Sequence, residues 1–72
     1  MKKTFRLEEL GCANCAAKME AAIGKLDGVD GVSINFMTQK LTLAAEDRLF
    51  DSILEQSKMI IRRIEPECAI LS

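Results

Sequence analysis

The chain has 72 residues, 49% of them apolar, with 10 basic and 11 acidic side chains for a net charge of −1. That composition describes one small globular unit, and its evenly mixed charges exclude the broad basic face needed to track nucleic acid. A chain this short buries roughly 60% of its unfolded surface, leaving little room for a carved substrate pocket, and no apolar run approaches the roughly 20 residues of a membrane span.

Phe5 and Leu7 alternate with Thr4, Arg6 and Glu8, the period-2 pattern of a half-buried strand, which places a first strand at about residues 3–9. The stretch Leu10-Gly11-Cys12-Ala13-Asn14-Cys15 follows, and from Asn14 onward Ala16, Met19, Ile23 and Leu26 recur at helical steps. This helix is expected to stop at Asp27-Gly28, where glycine can take the left-handed conformation that closes a helix. Val32, Ile34 and Phe36, then Leu41 and Leu43, alternate on either side of Met37-Thr38-Gln39 and predict a hairpin. Asp47 is expected to cap a second helix with Leu49, Phe50, Ile53 and Leu54 on its apolar face, ending near Ser57-Lys58. A last strand is read from Ile60 to about Glu65, ending at Pro66, although neither of its faces alternates cleanly.

Strand, helix, strand, strand, helix, strand with right-handed crossovers gives an α+β, ferredoxin-like βαββαβ sandwich. Its sheet has four antiparallel strands, and both helices lie on one face. One domain is expected over residues 1–72, with a core of about 3–67 and a tail of 68–72. The topology puts the cysteine loop, the hairpin turn and the start of the last strand at one edge, so Met37 and Met59 are expected beside the loop.

Cys12 and Cys15 are two thiols with two residues between them, presented where a loop enters a helix: a soft-metal site or a dithiol redox site. The thiolate is the reactive form, and the first helical turn, where Cys15 is expected, favours negative charge; Lys18, one turn on, adds a cation. With His 0 in the composition, imidazole ligands and Cys/His catalysis are absent. Two thiolates fall short of the four ligands of a closed zinc site but suit Cu(I). Zn(II) or Cd(II) would want more donors, and Glu8 and Glu9 are the nearest candidates. An under-coordinated ion at an exposed loop is open to attack by another protein's thiols, which suits transfer rather than storage.

The run Cys12-Ala13-Asn14-Cys15-Ala16-Ala17-Lys18-Met19-Glu20, followed by Leu26-Asp27-Gly28-Val29 and Val32-Ser33-Ile34-Asn35-Phe36, resembles the heavy-metal-associated domain over about residues 3–67. That family comprises copper-chaperone-like modules found alone or at the N-terminus of metal-transporting P-type ATPases. The resemblance implies a ferredoxin-like fold, a non-catalytic role, a soft ion (Zn(II), Cd(II), Pb(II) or Cu(I)) on Cys12 and Cys15, and exchange of that ion with a chaperone or a transporter. Copper-handling members usually carry Gly-Met-Thr before the first cysteine, where this chain has Glu9, Leu10 and Gly11. Zinc and cadmium members often carry an aspartate at the place of Gly11. The run Cys-Ala-Asn-Cys-Ala-Ala-Lys and the ending Ile64-Glu65-Pro66-Glu67 look more like the zinc/cadmium/lead branch.

The remaining candidates have plainer readings. Leu10 is expected to anchor the loop in the core, and Met37 and Met59 to fill the gap beside it, with auxiliary ligation as their sharper alternative. If the last strand runs away from the metal edge, about eight residues at ~3.3 Å each put Cys68 about 25 Å from the pair, in an incidental position. Arg62-Arg63 reads as a solvated rim. The expected protein is a cytoplasmic monomer whose partners are a metal ion and ATPase domains or a metallochaperone, with neither nucleic acid nor membrane insertion. The competing function is a thiol-disulfide oxidoreductase using the same C-x-x-C. Against it, no tryptophan flanks the pair, the residues between the thiols are Ala13-Asn14, and the βαββαβ order differs from a thioredoxin core.

Overall fold

In the computed structural model, which describes residues 1–71, Phe5 and Leu7 are buried on one side of strand β1 (Lys2–Glu8) while their neighbours are exposed. Helix α1 (Ala13–Gly24) buries Ala16, Met19 and Ile23. It ends about one turn earlier than the glycine signal suggests. Lys25 and Leu26 donate to the carbonyls of Ala22 and Ile23 at 3.3 and 3.1 Å, tightening the last turn, and Gly28 takes its left-handed φ of 93° in the turn beyond. Strands β2 (Val29–Asn35) and β3 (Lys40–Ala45) form the expected hairpin. Asn35 Oδ1 accepts from the amides of Met37 and Thr38 at 2.9 and 3.1 Å to shape its turn.

The second half departs from the sequence reading. Asp47 does not cap a helix through its side chain; it lies in a 3-10 turn, Asp47–Leu49, and its carboxylate pairs with the Met1 ammonium at 2.8 Å. Helix α2 (Phe50–Ile64) follows, and it takes in the residues 60–64 read as the last strand. Phe50, Ile53, Ser57 and Ile61 are its buried face, a helical spacing that packing against the sheet rewards, while Arg62 and Arg63 sit in the last turn where cations complement the helix dipole. Strand β4 is instead Ala69–Leu71, formed by residues read as a tail. It pairs with β1 through Glu8↔Ala69, Leu7↔Ile70 and Arg6↔Leu71.

The strand order is β2-β3-β1-β4 with every neighbouring pair antiparallel, the ferredoxin-like arrangement expected. Phe5, Leu7, Leu41, Leu43 and Ala45 from the sheet join Met19, Ile23, Phe50, Ile53 and Ile61 from the helices in one core, so both helices cover the same face. The Phe5 and Phe50 rings stack with centroids 6.3 Å apart, fixing α2 over β1. The end of β1, the start of α1, the β2–β3 turn, the end of α2 and the start of β4 therefore meet at one edge.

On the outer strand β2, the Ile34 amide lies outside the ladder and donates to Glu20 Oε2 of α1 at 2.9 Å. At Gly28, a Cβ would come within 2.8 Å of Leu49 Cδ1 and 3.2 Å of Ile53 Cδ1. Gly28→Ala therefore meets both a left-handed backbone and crowding. It is expected to cost about 1–3 kcal/mol, read as a lower midpoint in thermal denaturation.

Candidate metal centre

The loop from Glu9 to Cys12 leaves the sheet through Glu9, itself left-handed at φ 58°, and is tied to the core by Leu10, which is only 2% exposed. Cys12 is the N-cap of α1, in extended conformation (φ −141°, ψ 118°), and its Sγ accepts the Cys15 amide at 3.3 Å. Sulfur thus takes the part that a serine or aspartate oxygen usually plays at a helix start. Ala16 closes the first turn by donating to the Cys12 carbonyl at 3.0 Å. Both cysteines are half-buried and neither is in a disulfide. The two sulfurs are therefore together and reachable at the corner the topology assigned to them.

Their acidities split. Cys12 is lowered below the ordinary thiol value, first by the hydrogen bond from the Cys15 side chain and then by the Cys15 and Asn14 amides; burial and the Glu65 charge oppose this. Cys15 is raised, chiefly because its thiol donates to Cys12, then by burial and by the charges of Cys12 and Glu65, with Lys18 pulling the other way. Depression was expected at Cys15 in the first turn; it falls on the N-cap Cys12 because that sulfur collects the donors. One anion forms first, and its partner's proton stabilises it.

Glu65 is a carboxylate whose charge reaches both sulfurs, while Glu8 and Glu9 are exposed. Glu65 caps the end of α2. Its Oε1 lies 3.8 Å from where a Cβ on Gly11 would sit, and its Oε2 is buried with no hydrogen-bond partner. Sequence reasoning missed it by ending α2 too soon. Extending the helical stripe through Ile61 and Ile64 would have brought Glu65 to the cysteine edge. Cys68 likewise proves local rather than remote: it precedes Ala69, the partner of Glu8, so it stands at the same edge. It is 1% exposed, and its thiol is raised first by burial and then by Glu65. Met37 and Met59 are 87% and 63% exposed, so neither fills a gap beside the loop. Among the described residues no three His, Cys, Asp or Glu side chains already form a metal cage, and no helix is long and apolar enough to cross a membrane.

A family model for the heavy-metal-associated domain matches residues 4–68. The chain belongs to the heavy-metal-associated domain family. Its relatives include the cadmium, zinc and cobalt-transporting ATPase of Bacillus subtilis, 26% identical over 70 residues, or 97% of this chain and 10% of the ATPase. The protein of the same description from Helicobacter pylori is 33% identical over 66 residues, 92% of this chain and 9% of the ATPase. This heavy-metal-associated domain thus spans about a tenth of those ATPases. The copper chaperone CopZ of Bacillus subtilis is 33% identical over 43 residues, 60% of this chain and 62% of the chaperone. Among solved structures, the apo N-terminal domain of the copper(I) ATPase PacS matches with a TM-score of 0.78 at 24% identity, covering 99% of this chain and 90% of that one. That likeness is one of fold. Relatives described by cadmium and zinc stand beside relatives described by copper, so the choice of ion falls to the chemistry of the loop.

Proposed function

We propose that this domain binds a divalent soft or borderline ion, Zn(II), Cd(II) or Pb(II), through the thiolates of Cys12 and Cys15, with the Glu65 carboxylate as third donor, and passes it on by ligand exchange. The observation that carries this reading is the partnerless buried oxygen of Glu65 beside Gly11 in the cysteine loop. A buried carboxylate oxygen without a hydrogen bond is costly unless something positive is meant to meet it. Cu(I) is satisfied by two sulfurs, whereas a divalent ion gains from an added hard anionic donor. Three donors leave one position of a four-coordinate ion open, through which another protein's thiolate can attack. The domain then works in the cytosol as a monomeric, non-catalytic carrier, the partner being a metal-transporting ATPase or a chaperone with its own cysteine pair.

Titration with Cd(II), Zn(II) and Cu(I), counting metal–thiolate bonds by ultraviolet absorption, tests the assignment. Glu65→Gln keeps the side chain's shape and removes its charge. It is expected to weaken Cd(II) and Zn(II) binding by at least about tenfold, since a neutral amide oxygen replaces an anionic donor, and not to weaken Cu(I) binding, because the Glu65 charge opposes ionisation of both thiols. Glu8→Gln and Glu9→Gln are expected to change neither. Indifference of Cd(II) to Glu65→Gln together with tight two-coordinate Cu(I) would reverse the choice of ion. Rapid disulfide exchange without stoichiometric metal binding would favour an oxidoreductase instead.

A further inference from the structure

Gln39 stands in the β2–β3 turn, on a different element from the cysteines. Its side-chain Oε1 accepts the Leu10 amide at 3.2 Å, and its Nε2 donates to the Leu10 carbonyl. Its own carbonyl accepts the Leu7 amide at 2.7 Å, carrying the sheet ladder one step past the Arg6↔Lys40 pair. Three hydrogen bonds from one residue thus fasten the end of β1 and the loop leading to Cys12. Leu10 is buried after β1 has ended, so its main-chain amide and carbonyl have no strand partner and need one. A carboxamide both donates and accepts from one head, which neither a carboxylate nor an ammonium does.

The backbone there is unusual as well. Gln39 has φ 57°, and Glu9, the residue before Leu10, has φ 58°; among the described residues they are the non-glycine residues in the left-handed region. A long side chain rarely takes that conformation, which persists where the surroundings demand it. Both turns flank the same pair of hydrogen bonds.

We propose that Gln39 is the positioning residue of the metal loop: by clamping Leu10 it holds Cys12 where its sulfur meets the Cys15 amide, and so sets the affinity of a site it does not touch. Without the clamp the segment from Glu9 to Cys12 can swing about Glu9, and binding must first order it. The affinity part of this proposal rests on the reading of Cys12 and Cys15 as ligands; the clamp itself does not.

The test compares Gln39→Asn and Gln39→Glu with the wild-type protein. Asparagine tolerates the left-handed turn and keeps the amide but falls one methylene short of Leu10. Glutamate keeps the reach and the acceptor for the Leu10 amide. Hydrogen exchange in metal-free protein is expected to rise about tenfold or more at the Leu10 amide in Gln39→Asn, with the Met19 and Ile23 amides unchanged. The Cd(II) dissociation constant is expected to rise roughly tenfold, and Gln39→Glu to fall between. Unchanged Leu10 exchange in Gln39→Asn overturns the clamp. A loosened Leu10 with wild-type Cd(II) affinity, measured where both proteins are fully folded, overturns the positioning role and leaves Gln39 a structural residue. The exchange measurement needs no metal, so failure of wild-type protein to bind Cd(II) sinks the ligand reading while Leu10 protection still decides the clamp.

Discussion

Cys12→Ser is expected to lower Cd(II) affinity by more than the roughly 10–100-fold that loss of an outer partner costs, because it removes a donor outright. The substitution isolates the sulfur's chemistry from the fold. Cys12 is the N-cap of α1, and its Sγ receives the Cys15 amide at 3.3 Å. A serine hydroxyl is among the best acceptors for that position, so the helix start should survive. Circular dichroism and thermal unfolding should match wild type while the metal–thiolate absorption falls to what one sulfur supports. Cys15→Ser is expected to lose affinity similarly. Its hydroxyl can still donate to Cys12, so Cys15→Ala is the variant that removes this donor and should make the Cys12 sulfur a weaker acid. Retention of wild-type affinity in either variant would remove the basis for a two-thiolate site.

Ile61→Ala is expected to cost about 2–5 kcal/mol, read as a lower midpoint in urea denaturation. A small domain has roughly 5–15 kcal/mol in hand, so much of the population could unfold at elevated temperature. Ile61 is 0% exposed, on the buried face of α2 with Phe50, Ile53 and Ser57. Met59, two positions earlier and 63% exposed, provides the control: Met59→Ala is expected to stay within about 0.5 kcal/mol. Two residues in a strand would share a face, whereas in a helix they point apart, so the contrast also distinguishes the two readings of this segment. Equal costs at both positions would contradict the helix.

That segment is where legibility ran out. β1, α1 and the β2–β3 hairpin could be read because Phe5/Leu7, Ala16/Met19/Ile23 and Leu41/Leu43 keep one period each, and burial follows that period. In α2 the stripe is interrupted by Ser57, a polar residue that looks like a helix end. In the fold Ser57 is 0% exposed, with its hydroxyl donating to the Ile53 carbonyl at 2.8 Å, so it satisfies itself inside the helix and the stripe continues. The β-branched Ile60-Ile61 run then favoured a strand by local preference, which packing overrode. Two consequences reached the candidate site. With the helix cut short, Glu65 could not be seen at the cysteine edge. With the last strand drawn too early, Cys68 was sent to the far end of the molecule. The thiol pair itself was legible because its spacing and its place before a helical stripe are local features. Gln39 and Glu65 act across 29 or more positions of sequence, as the Leu10–Gln39 separation of 29 illustrates, and nothing local announces them.

The Glu20 carboxylate on the Ile34 amide bears on how such molecules meet. β2 is one outer strand of the sheet, and a free row of amides there would invite the backbone of a neighbour to dock and polymerise. An acidic lid sits on one of those amides, and the strand is further bent by the register shift between Val29 and Gly31. Crowded copies thus find a poor template for sheet growth along this flank.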